Sequence, residues 1–288
     1  MTDNHSLIER AARRLAGRGG VTPLPPPGAD PGAAPGSAPG SAPGRLVSVD
    51  PERLKALGVI TADTCDSRLA EEMRVVKRRL MRRLRRQTVA PARDGHVPGV
   101  VTVSSARPRE GKSTFALNLA LSLALDDKVD TLLVDADLLH PRLFAMLALD
   151  PAAGVADVLR DPSLDPAALL CRDERLGLSL LDAGRDARAT AEQFAAGKMR
   201  AMVERLARPS RDRLIIVDTA PLLMHTGALT LAQCAEQTVL VVEANRTEQS
   251  EVQTAIDLLD GTGNVSLVLN KVPADNSTEA LREAYCYY

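Results

Sequence analysis

The sequence predicts an α/β protein: a central, mostly parallel β-sheet with helices on both faces. Three observations carry that prediction. From Gly99 onward, apolar runs of four to seven residues alternate with helical stretches; they read VVTV, TLLVDAD, LSLLDAG, RLIIVDTA, TVLVVEA and VSLVLNK. Continuous apolar strands separated by helices imply a parallel sheet covered on both faces, joined by right-handed crossovers. Directly after the first run stands SSARPREGKST, followed by the helical stretch FALNLALSLAL, which is the strand–loop–helix setting of a phosphate-binding loop. Carboxylates close two later strands, in LLVDAD and LIIVDTAP, and ligands of open parallel sheets gather at the carboxyl ends of strands. Together they point to a P-loop nucleotide-binding fold.

The bulk numbers agree and exclude several classes. The 288 residues, 45% of them hydrophobic, allow one large domain or two small ones with a buried core. There is no Trp and aromatics make up 2%, so the interior is built from Leu, Val, Ile and Ala and single-stranded nucleic acid finds few stacking platforms. A net charge of -1 gives no global steering toward phosphate or membrane. Cys65, Cys171, Cys234 and Cys286 form no CxxC pair, which argues against a zinc site and a disulfide framework and for reduced thiols in a cytoplasm. No apolar run approaches the roughly 20 residues of a membrane span, and the first residues carry no apolar signal block.

In chain order, Ser6 and Glu9 form a capping box for a short amphipathic helix within residues 1–17. Residues 18–46 are rich in Pro, Gly, Ala and Ser, a composition that cannot bury enough apolar area to offset ordering and reads as a disordered linker. The folded part is expected over 47–280. Asp50 and Pro51 occupy N-cap and first-turn positions of one helix, and a second, basic toward its end, runs from about Ser67 to Arg86 within the helical segment 50–86. The nucleotide-binding core spans 97–273, and a tail follows at 281–288.

The loop runs from Ala106, where the first glycine of the pattern would stand, through Arg107, Pro108, Arg109 and Glu110 to Gly111, Lys112, Ser113 and Thr114. Its backbone N–H groups and the helix N-terminus face phosphate oxygens, Lys112 reaches the outer phosphates and the Ser113 hydroxyl serves Mg²⁺. Arg109 stands where glycine is common, so a positive φ there would strain the loop. Asp135, Asp137 and Asp218 stand at strand ends where the metal shell would lie. One of Asp135 and Asp137 would orient the nucleophile and accept its proton while the other supports the metal. An ATPase directs water there; a kinase directs a hydroxyl. Tyr285, Tyr287 and Tyr288 are the only tyrosines in the chain, all within the last four positions, and an exposed terminus can deliver them to an active site.

These residues resemble the bacterial tyrosine kinases of exopolysaccharide and capsule synthesis, of the separate cytoplasmic type; the start of the chain looks most like the exosortase-associated autokinases. The resemblance covers about Glu71 to Tyr288 and rests on EEMRVVK, SSARPREGKST, LLVDADLLHPRL, GVADVLR, LLDAGRDARATAEQF, IIVDTAPLL, VVEANRTEQSEV, LVLNK and the tail. It implies an ATP- and Mg²⁺-dependent autokinase of the MinD/ParA-like superfamily that phosphorylates Tyr285, Tyr287 and Tyr288 in trans. It further implies Lys112, Asp135, Asp137 and Asp218 as catalytic residues, and Asn270 beside the loop as a nucleotide contact. Glu71, Arg74 and Lys77 would form a subunit contact in a ring-like oligomer.

Implied partners are a membrane co-polymerase as activator, sugar-nucleotide enzymes as substrates and a tyrosine phosphatase, with no nucleic acid. The implied location is cytoplasmic, peripheral to the inner membrane through a partner. Two departures stand out: Leu139 replaces an arginine common in the family, with Arg142 the nearest basic residue, and Lys77 replaces an arginine. Two other readings remain. A positioning ATPase would carry lysine where this chain has Arg107, and an ATP-binding scaffold would turn over nothing.

Overall fold

The chain joins its sheet earlier than composition suggests. In a computed structural model that describes residues 44–87, 96–127, 129–190, 196–208 and 213–273, Arg45–Leu46 form a strand, β1, inside the stretch expected to be linker. Strand β1 lies parallel to β4 (Cys171–Asp173), with Arg45 opposite Cys171. The attachment continues past the strand. The buried Asp173 accepts the Val49 N–H at 2.7 Å, and Arg175 returns a bond to the Val49 carbonyl at 2.5 Å. Partners more than 120 positions away hold this segment, which is why local composition misses it. The expected N-terminal helix with Ser6 and Glu9, the linker up to residue 43, and Tyr285, Tyr287 and Tyr288 lie outside the described residues.

All six predicted strands are present. They are β2 (Val97–Ser105), β3 (Thr131–Ala136), β5 (Leu178–Leu181), β6 (Leu214–Thr219), β7 (Ala235–Glu243) and β8 (Asn264–Asn270). The sheet order is β1-β4-β5-β3-β6-β2-β7-β8. Every neighbouring pair is parallel except β4–β5, an antiparallel hairpin turned by residues 174–177, where Gly177 takes φ 63°. Strands β4 and β1 are the additions to the predicted sheet.

Helix α1 (Pro51–Leu57) is capped by Asp50, whose carboxylate accepts the Glu52 N–H at 3.0 Å, and ends at Gly58 with φ 63°. Helix α2 (Arg68–Gln87) matches the expected basic helix to one residue at each end, and α3 (Lys112–Asp127) starts at the phosphate loop. Short helices α4 (Leu143–Met146), α5 (Val155–Arg160) and α6 (Ala187–Thr190) precede α7 (Ala196–Ala207), α8 (Thr226–Cys234) and α9 (Gln249–Leu258).

Strand side chains alternate between two cores, as the pleat requires. Val101, Val103, Leu133 and Ile216 point toward Met73 and Leu80 of α2 and Leu117 and Leu121 of α3. Val100, Leu132, Val134, Ile215 and Val217 point the other way, toward Met202 and Leu206 of α7 and Leu231 of α8. Each such buried side chain contributes about 1.5–3 kcal/mol, and the two layers fix β2, β3 and β6 as neighbours at the sheet centre. Their carboxyl ends therefore meet at one place. Among the described residues no helix is long and apolar enough to cross a membrane.

Of the three residues expected at a subunit contact, Lys77 is the buried one. It is 6% exposed, with Nζ 3.4 Å from the Ser122 carbonyl of α3, so it belongs to the interior of its own subunit. Glu71 and Arg74 stay at the surface and pair at 2.5 Å, and Arg74 also donates to the Cys65 carbonyl.

Candidate active site

The phosphate loop leaves β2 at the buried Ala106, and Ser105 Oγ donates to the Arg107 carbonyl at 2.7 Å. Arg107, Pro108 and Arg109 are exposed. Arg109 takes φ 70° and Gly111 φ 96°, so the strain expected of a side chain at the former position is present. At Gly111 a Cβ would lie 2.2 Å from Asn270 Nδ2, so a side chain there would push the amide off the Glu110 carbonyl.

Two side chains at the end of β8 hold the loop from outside. Asn270 Nδ2 donates to the Glu110 carbonyl at 2.8 Å and Lys271 Nζ to the Arg109 carbonyl at 2.7 Å. In a trans peptide the C=O and N–H point in opposite directions, so the N–H groups of Glu110 and Gly111 point away from these two side chains. Glu110 completes the frame. It is 2% exposed, and its carboxylate accepts the Arg107 N–H at 2.6 Å, the Glu243 N–H at 3.4 Å and the Thr247 hydroxyl. Thr247, Glu243 and Lys271 lie in the stretches VVEANRTEQSEV and LVLNK, but their bracing role escapes sequence reasoning because they stand more than 130 positions from the loop.

Beneath the loop, Lys112 Nζ lies 2.7 Å from Asp137 Oδ2, 3.7 Å from Asp218 Oδ1 and 3.3 Å from Ser113 Oγ. Burial pulls the ammonium pKa down, yet Asp218 and Asp137 outweigh it and the net shift is upward. The structure thus brings Lys112, Ser113, Asp137 and Asp218 together, with Asp135 beside them opposite Asp218 in the β3–β6 register.

The three acids differ in what they hold. Asp135 is fully buried and its oxygens are taken by backbone N–H groups: Arg142 and Leu143 at 2.9 Å each, Asp137 at 3.3 Å. Burial first, then the charge of Asp218, pushes its carboxyl up to about 8. It anchors the turn 137–143 and with it Asp137. Arg142, the nearest basic residue to the position of Leu139, contributes its backbone N–H to that anchor, while Leu139 is half-buried and its carbonyl accepts from Arg188 at 2.7 Å.

Asp218 is 1% exposed, and its oxygens accept no hydrogen bond among the described residues. Burial pushes it up to about 6 against the opposing pull of Lys112. Its nearest cation is Lys112 Nζ at 3.7 Å, beyond hydrogen-bond distance, which leaves its oxygens open to a metal ion. No three His, Cys, Asp or Glu among the described residues cluster closely enough to hold a metal alone. Magnesium keeps several waters and takes one or two carboxylates plus substrate phosphates, so Asp218 with Ser113 beside a triphosphate fits it.

No family model matches the chain. The tyrosine-protein kinase YwqD of Bacillus subtilis is 33% identical over 159 residues, 55% of this chain and 65% of YwqD. The succinoglycan biosynthesis transport protein ExoP of Rhizobium meliloti is 33% identical over 177 residues, 60% of this chain. The chain spans only 22% of the length of ExoP. Among solved structures, the kinase domain of VpsO superposes with a TM-score of 0.55 and 30% identity, covering 65% of this chain and 90% of that domain. With its phosphate loop and strand-end acids on that same α/β fold, the chain belongs to the bacterial tyrosine kinase family of P-loop proteins.

Proposed function

We propose that this protein is a protein-tyrosine kinase that uses ATP and Mg²⁺ to phosphorylate its own Tyr285, Tyr287 and Tyr288. The observation that carries the reading is the convergence of Lys112, Asp137 and the donor-free Asp218 beneath the phosphate loop. The N–H groups of the loop and Lys112 bind the β- and γ-phosphates. Ser113 and Asp218 would hold magnesium, which when bound neutralises phosphate charge. Asp135 has its oxygens committed to backbone N–H groups, so it positions, and Asp137 takes the proton. As Lys112 turns to phosphate, Asp137 Oδ2 becomes free to accept the tyrosine hydroxyl proton. The phenolic oxygen forms a bond to the γ-phosphorus, the bond to the ADP oxygen breaks, and ADP leaves with that electron pair.

A terminus serves a neighbouring subunit as readily as its own, so the reaction in trans requires self-association, with Glu71 and Arg74 at its surface. The name of ExoP supports a place in exopolysaccharide synthesis and export. A membrane co-polymerase would act as activator, sugar-nucleotide enzymes as further substrates and a tyrosine phosphatase as the reversal, with the kinase on the cytoplasmic side. Incubation of the purified protein with Mg-ATP, beside Lys112→Ala, followed by phosphosite mapping tests the reading. Phosphate on the three tail tyrosines of the wild type alone is expected; unmodified tyrosines, even with a cytoplasmic activator segment added, would refute it.

A further inference from the structure

Helix α2 carries a face on which arginines outnumber the acids. Arg78, Arg79, Arg82 and Arg83 are all exposed, and at 100° per residue they fall within an arc of about 140° over less than two turns. The acids of the helix are engaged elsewhere: Glu72 pairs with Arg68 at 2.8 Å, and Glu71 with Arg74 at 2.5 Å, reaching Arg78 only at 3.7 Å. Arg79 and Arg82 have no hydrogen-bond or ion-pair partner among the described residues. Arg83 donates to the Val265 carbonyl at 3.3 Å and to Ser266 Oγ at 2.7 Å, which sets this face beside the start of β8.

Every cation of the face is an arginine, and the planar guanidinium fork matches phosphate oxygens in a way lysine does not. Clustered arginines are a recurring recognition mode for phosphorylated segments. The chain supplies a candidate of the right chemistry and reach. Residues 274–288 contain Asp275, Glu279 and Glu283 against Arg282, beside all three tyrosines; each phosphorylation adds about -1.5 to -2. From Pro273 back along β8 to Ser266 is seven residues, about 25 Å, whereas the 12 residues from Pro273 to Tyr285 span up to about 40 Å. We propose that the arginine face of α2, centred on Arg79 and Arg82, is the docking site for the phosphorylated tyrosine tail of this chain. The inference rests on the autokinase reading for the source of the phosphates. It gives the modified tail a destination on the same helix that presents Glu71 and Arg74.

The test uses a synthetic peptide of residues 274–288 with phosphate on Tyr285, Tyr287 and Tyr288, added to the full chain and followed by fluorescence anisotropy. Because the peptide is phosphorylated chemically, the result does not depend on whether the protein phosphorylates itself. Binding at least about tenfold tighter than that of the unphosphorylated peptide is expected, as charge-assisted guanidinium–phosphate pairs require. The pair Arg79→Gln and Arg82→Gln should lose about tenfold with unchanged circular dichroism, and Arg79→Lys with Arg82→Lys should fall between, since the charge remains without the fork. Equal binding of the two peptides, or undiminished binding by the glutamine pair, would overturn the proposal. So would Arg79- and Arg82-dependent binding to phosphatidylserine vesicles without peptide binding, which would make the face a membrane surface.

Discussion

Lys112 and Asp137 form a buried ion pair, Nζ to Oδ2 at 2.7 Å, with side chains 9% and 4% exposed. Burying charges is tolerable only while they compensate each other, and here Lys112 answers both Asp137 and, at 3.7 Å, Asp218. The pair is thus a stored cation and a stored base in one contact.

Asp137→Asn separates the two roles. The amide keeps an oxygen for the His140 N–H that Asp137 accepts at 3.1 Å, but it takes no proton. Phosphotransfer to the tail should fall by about 10²–10⁴-fold, the usual worth of general-base catalysis, while ATP affinity measured by calorimetry stays within a few-fold. A comparable loss of ATP affinity would remove Asp137 from the base role.

Gly111→Ala should abolish nucleotide binding, because the new Cβ would lie 2.2 Å from Asn270 Nδ2 at a backbone φ of 96°. Adding Asn270→Ala removes the clash while leaving the backbone strain, so the double variant should recover part of the lost stability. Residues in contact couple by about 0.5–3 kcal/mol; additive denaturation midpoints would show that the clash does not govern the loop.

Arg109→Gly should stabilise the protein. The left-handed conformation at φ 70° costs a residue with a side chain about 1–2 kcal/mol, partly offset by the greater chain entropy of glycine when unfolded. A rise of about 2–4 °C in Tm per kcal/mol gained is expected in calorimetry for a chain near this size. Any fall in Tm would show that the Arg109 side chain contributes more than its backbone costs.

The acids predict a pH dependence of definite sign. Asp218 is pushed up to about 6 and Asp135 to about 8, above the unfolded value of about 3.9. A carboxyl raised in the folded state favours folding while protonated, so the contribution is intact below pH 4 and lost as pH climbs through 6 and then 8. In magnesium-free buffer Tm should fall over that range. Asp135→Asn, which cannot ionise and keeps an oxygen for the Arg142 and Leu143 N–H groups, should show a shallower slope; parallel curves would contradict the assignment.

The comparison of sequence and structure turns on distance along the chain. The six strands, the basic helix, the loop ending in Lys112 and Ser113 and the acids at strand ends were legible because each is written in a few consecutive residues: apolar runs, a capping Asp50, a glycine before the lysine. Local chemistry suffices for those, since strand and helix propensity and the reach of a loop's N–H groups act over one or two turns. Sheet order, the antiparallel β4 and the two residues of β1 depend instead on which distant strands bury each other's faces. The same holds for the site. That Glu110 would be buried to brace the loop through Thr247, that Asp135 would spend its oxygens on the 142–143 backbone, and that Lys77 would turn inward to Ser122 are consequences of packing. Sequence alone determined which chemical groups this protein owns. Only the tertiary structure decided which remain available, because burial and hydrogen-bond satisfaction are settled by partners far away in the chain.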